Sequence, residues 1–189
     1  IIFATQGAAE AGKIGLTLAI LNVVLSLSIS WNSTKVPIYG VLIAKKQFKK
    51  LDKLFNKTFK QSTIVCSVLL VILFFVINAF GEISIFGIKF KERLIGNYSL
   101  LFMMIGFLMN HILGSLAIYL RCHKKEPLLL NSLLYGLITS GCTLILGPLY
   151  GIQGVTFAYC ITSIVITIWG IKIFYLKKTY IMCLHMLNL

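Results

Sequence analysis

From Ser62 to Phe80 the chain carries no charged side chain, and an apolar stretch of that length matches the about 20 helical residues needed to cross the hydrocarbon of a bilayer. Nothing else in the sequence constrains the fold as strongly. Similar runs over 13–33, 98–120, 128–147 and 152–174 are separated by polar or glycine-containing junctions, so five transmembrane helices are expected. Composition agrees, with 58% hydrophobic residues, a mean hydropathy of +0.93 and 12% charged side chains. A soluble domain runs nearer about one quarter charged. The chain reads as an all-α integral membrane protein, one membrane domain over 1–189.

A net charge of +13 would suggest nucleic acid in a soluble chain. Here the basic residues sit between the apolar runs, where they set topology and meet anionic headgroups, so no nucleic-acid partner is expected. Segment 35–60 carries Lys35, Lys45, Lys46, Lys49, Lys50, Lys53, Lys57 and Lys60 against Asp52; Arg121, Lys124 and Lys125 follow the third run, and Lys172, Lys177 and Lys178 end the fifth. These make up most of the 18 Lys and Arg residues and belong on the cytoplasmic side. The opposite side receives Lys13, Lys89, Lys91 and Arg93, offset by Glu10, Glu82 and Glu92. An outside amino end and a cytoplasmic carboxyl end satisfy every loop.

Within 38–60, Val41, Ala44, Phe48, Leu51, Phe55 and Phe59 share an arc of about 80° at about 100° per residue, with lysines on much of the remainder. That pattern predicts an amphipathic helix lying at the membrane interface, as an anchor or as a solvated connector. The five cysteines, Cys66, Cys122, Cys142, Cys160 and Cys183, lack metal-site spacing and are expected to be small packing residues. The chain starts at Ile1, and Glu10 and Lys13 precede its first apolar run. No signal peptide is legible there, and a fragment of a longer protein is expected.

Two helices show polar stripes. Gly15, Ala19, Asn22, Ser26, Ser30 and Ser33 fall within about 80° on the first, and Thr156, Tyr159, Cys160, Ser163, Thr167 and Gly170 within about 100° on the fifth. Such faces belong against protein or a wetted cavity rather than lipid. The third run holds Asn110 and His111 near its centre, and the fourth holds Asn131, Tyr135, Thr139 and Thr143. Polar groups at that depth are costly unless paired or hydrated, which makes Asn110 and His111 the leading intramembrane candidates. His111 has the chemistry of a proton carrier or of a neutral hydrogen-bonding residue between helices. No acid lies near the centre of a span, and no phosphate loop, zinc motif or carboxylate pair is present. Enzyme activity, a metal and a cofactor are therefore not expected.

Particular strings go further than composition. Ala11-Gly12-Lys13-Ile14-Gly15-Leu16-Thr17, Trp31, Pro37, Leu42-Ile43-Ala44-Lys45-Lys46 and Leu51-Asp52-Lys53-Leu54-Phe55 resemble the start of the second half of polysaccharide flippases. Glu126-Pro127 and Gly147-Pro148-Leu149-Tyr150-Gly151-Ile152-Gln153-Gly154 are similar to the closing helices of Wzx-type O-antigen exporters, members of the multidrug, oligosaccharidyl-lipid and polysaccharide exporter superfamily. The resemblance implies two bundles of six helices, of which this chain supplies about helices eight to twelve. It implies translocation of an undecaprenyl-diphosphate-linked oligosaccharide across the bacterial cytoplasmic membrane by alternating access, with anionic lipids and polysaccharide polymerase machinery as further partners. Such a task needs a hydrated polar cavity with some positive charge. Asn22, Ser26, Asn110, His111, Tyr135 and Tyr159 become the substrate-cavity candidates, and Lys13 and Lys35 the headgroup contacts at the outer and inner openings. The alternatives are an ion-coupled multidrug exporter and a noncatalytic membrane assembly subunit.

Overall fold

The computed structural model describes residues 2–81, 84–85, 88–123 and 126–187, with the side chains of 80, 84, 85, 88–90 and 180–187 left aside. Glu82, Lys124 and Lys125, the side chains of Lys89 and Cys183, and the side chains of the closing His185–Leu189 segment lie outside that description. In chain order the elements are α1 (Ile2–Gln6), α2 (Ala8–Ser33), α3 (Val36–Ala44) and α4 (Phe48–Phe80). The two-residue strands β1 (Ser84–Ile85) and β2 (Ile88–Lys89) then pair antiparallel, followed by a short 3-10 helix (Phe90–Arg93), α5 (Asn97–Cys122) and α6 (Leu129–Leu187).

Four helical stretches are long and apolar enough to cross a membrane: Ala8–Ala44, Phe48–Ala79, Asn97–Cys122 and Leu129–Thr179. The expected fourth and fifth helices are the two arms of α6, which is interrupted at Gly151. Gly151, with φ 59° and ψ −141°, reverses it, a conformation open to glycine and strained for any residue with a Cβ. The arms run antiparallel. Asn131 Nδ2 donates to the Ile166 carbonyl at 3.2 Å and Tyr135 Oη lies 2.9 Å from Ser163 Oγ, so numbers fall on one arm as they rise on the other.

Segment 38–60 is not one helix. It breaks at Lys45–Gln47, where Lys46 takes a left-handed φ of 55°, and the break resets the helical phase. Val41 and Ala44 are left exposed. Leu51 and Phe55 are 0% and 2% exposed, packed with Tyr39, Tyr119, Leu120 and Phe174 in an apolar cluster. The Leu51–Phe55 part of the apolar arc therefore serves the bundle, in the first turns of the long helix α4. Asp52 on the same turns accepts from Tyr119 Oη at 2.6 Å and pairs with Lys178 Nζ at 3.0 Å, tying the starts of α4 and the ends of α5 and α6 together at the lysine-rich end.

A second apolar cluster, around Leu21, Cys66, Leu70, Leu100 and Phe107, joins α2, α4 and α5 towards the other end. Outside both clusters, large apolar side chains such as Val68, Ile72, Phe75, Leu137 and Ile145 are exposed. In water such a surface would be an aggregation site; against lipid tails it is the surface a bundle needs. Hydroxyls within the apolar helices turn back on their own backbone, as Thr17 does to the Lys13 carbonyl and Thr143 to that of Thr139.

Candidate functional site

Asn110 and His111 sit side by side in the middle of α5 and face opposite ways. His111 is 0% exposed and looks towards α2 and α4. Ser62 Oγ donates to the Ser28 carbonyl at 2.6 Å, so what it offers His111 Nε2, 3.1 Å away, is a lone pair. The imidazole therefore carries its proton on Nε2, and Nδ1 is a bare acceptor without a partner. Just beyond, Asn32 Nδ2 donates to Ser115 Oγ at 2.7 Å. These groups stitch α2, α4 and α5 together, and His111 belongs to that packing.

Asn110 looks towards α6. Its amide donates to Tyr135 Oη at 3.0 Å and to Tyr159 Oη at 2.6 Å, one phenol from each arm of the hairpin. Ser163 Oγ donates to the Tyr159 carbonyl at 2.7 Å, so Tyr135 is the donor in its 2.9 Å contact with Ser163. Among the described residues the Asn110 carbonyl oxygen accepts nothing, whereas the Tyr159 hydroxyl is also within hydrogen-bonding reach of Tyr135 and Ser163. Asn110, Tyr135 and Tyr159 are each half-buried, and the two tyrosine rings lie 6.4 Å apart at 53°. At mid-span the cluster thus holds a spare acceptor, the Asn110 carbonyl, beside two aromatic faces. A sugar hydroxyl can donate to that acceptor.

Asn22 and Ser26 are elsewhere. Ser26 Oγ donates to the Asn22 carbonyl at 2.7 Å, and Gly15, Ala19, Asn22, Ser26, Ser30 and Ser33 form an uncovered face of α2. Lys13, paired with Glu10 at 2.6 Å, lies about 180° round the helix from Asn22 at about 100° per residue. Lys35 lines a cavity of about 550 Å³ between α2 and α4, with Trp31, Lys57 and Gln61 among its neighbours. Three of the six cavity candidates are thus brought together. Of the buried set Ser28, Asn32, Ser62 and Ser115, the α2 members Ser28 and Asn32 escaped sequence reasoning, although they stand four apart and mark a second polar face on α2.

Comparison with protein-family models, with curated proteins and with solved structures returned no match. The class the structure defines is an all-α, multi-pass membrane protein built on four long apolar helical stretches.

Proposed function

We propose that the chain is part of a translocator for a lipid-linked oligosaccharide, an undecaprenyl-diphosphate-borne polysaccharide unit carried across the bacterial cytoplasmic membrane. The observation that carries this reading is the half-buried Asn110–Tyr135–Tyr159 cluster, backed by the buried Ser163, at the middle of the apolar helices. Polar residues at that depth line substrate paths or bind partners, because lipid gives them nothing. The orientation that goes with this reading puts the lysine-rich end and the carboxyl terminus in the cytoplasm. Within it, Asn110, Tyr135 and Tyr159 touch sugar, and Asn22 and Ser26 line the polar face of α2.

The test is glycan display in a flippase-null bacterial strain expressing the full coding sequence that contains this chain, with membrane insertion checked in the same cells. Recovery of long lipid-linked glycan is the expected result; stable insertion in a compatible glycan background without recovery would overturn the reading. The uncovered α2 face favours, as a second reading, a membrane assembly subunit whose polar helix face docks on another helix.

A further inference from the structure

The cavity at the lysine-rich end points to a ligand of its own. Lys35, from the turn into α3, and Lys57, on α4, converge on one concavity of about 550 Å³, within the range of small-ligand pockets. No acid lines it. Among the described residues neither lysine is in an ion pair, and Asp52, the acid on the nearest turns, is already held by Lys178 and Tyr119. Among the described residues, no acid compensates the two lysines of this lining. The hydroxyls of Ser30, Thr34 and Thr58 donate to the carbonyls of Ser26, Trp31 and Leu54. Their protons are spent, so the lysines, with the Gln61 amide and the Trp31 indole N–H, are what an anion would meet.

The remaining wall decides what kind of anion. Leu27 and Trp31, both in the cavity lining, are 59% and 48% exposed, and with Val23 at 60% they continue an apolar track along α2 away from the lysines. A cationic pocket that opens onto an apolar track in a membrane helix matches an amphiphile with a phosphate at one end and acyl chains at the other.

We propose that this cavity binds a lipid headgroup with a net-anionic phosphate, with Lys35 and Lys57 holding the phosphate and Val23, Leu27 and Trp31 flanking the lipid chains. The proposal deepens the headgroup contact expected of Lys35 and does not use the Asn110 cluster, which carries the translocation reading on the α6 side of α5.

Trp31 reports on its own site. In the full-length protein with every tryptophan except Trp31 replaced by phenylalanine, reconstituted in phosphatidylcholine nanodiscs, brominated phosphatidic acid should quench Trp31 more than brominated phosphatidylcholine at equal mole fraction. Lys35→Gln with Lys57→Gln should weaken that preference about tenfold or more, Lys35→Arg with Lys57→Arg should restore it, and Lys49→Gln with Lys50→Gln, of the same net charge but outside the cavity, should leave it intact. Equal quenching by the two lipids, or equal loss in the Lys49/Lys50 control, would overturn the site. Inorganic pyrophosphate added to phosphatidylcholine nanodiscs should leave Trp31 emission unchanged; a shift with the same Lys35/Lys57 dependence would overturn the lipid source in favour of soluble phosphate. Glycan display plays no part in these readouts, so their failure and the failure of the translocation reading are distinguishable.

Discussion

The two polar stripes of this chain, one on α2 and one on the second arm of α6, look alike as sequence and end in opposite surroundings. Thr156, Ser163 and Thr167 are 2%, 1% and 1% exposed. Thr167 reaches across to the Met109 carbonyl of α5, and a Cβ on Gly106 would run into the Tyr159 ring. Asn22, Ser26, Ser30 and Ser33 are all exposed, and nothing lies within 4 Å of a Cβ added to Gly15. The α6 stripe is a close-packed helix interface built on small residues. The α2 stripe has the same ingredients and, among the described residues, stays exposed. Small and hydroxyl residues at helical spacing therefore announce a face that avoids lipid, without saying whether protein, water or substrate occupies it.

The sharpest way to break this contrast is to enlarge a glycine on each side. Gly106→Leu should be the most damaging change, costing about 1–3 kcal/mol or more through overpacking, and should lower the Tm of the detergent-solubilised protein. Gly15→Leu should leave Tm where it was; a matching fall would mean that the α2 face is covered after all. Next in size is Asn131→Leu, which removes the bond to the Ile166 carbonyl between the two arms. A loss of about 0.6–1.7 kcal/mol is expected from interhelical bonds of this kind, whereas Asn22→Leu should cost nothing measurable in the same melts.

Tyr135→Phe separates stability from function. It removes the hydroxyl that accepts from Asn110 and donates to Ser163, with a stability cost of about 1 kcal/mol. Glycan display at matched abundance should fall about tenfold, as for the loss of about 1.4 kcal/mol of binding. Unchanged display would remove the cluster from the substrate path. The smallest effect is expected of Ser26→Ala, within about 0.5 kcal/mol of the parent. Its counterpart, Ser26→Cys, should react readily with a water-soluble maleimide if the face is hydrated, while Ser163→Cys should be protected.

Much of this architecture was legible beforehand. The run from Ser62 to Phe80 announced a spanning helix because nothing else accommodates so many uncharged residues, and Gly151 stood at the expected turn. Asn110 was legible as an expensive polar group at mid-span, and Tyr135 and Tyr159 as polar aromatics on adjoining helices. Their meeting at one amide was not, because it depends on how far each arm of α6 is turned about its axis. His111 shows the limit most clearly: one residue from Asn110, it is rotated by about 100°, enough to carry it from the half-open α6 side into the closed contact with Ser62. The 38–60 segment failed for a local reason, since a single left-handed residue, Lys46, breaks the phase on which a periodicity argument rests.

Sequence alone determined that this chain lives in lipid as apolar helices, which residues share each helix face, and where its positive charge collects. Tertiary structure decided which faces are covered. In water the two questions have nearly one answer, because apolar groups are driven inside. In lipid an exposed Phe75 loses nothing, while Ser62, His111 and Asn131 must find partners. Burial is then set by packing and hydrogen-bond geometry, and those exist only once the helices have met.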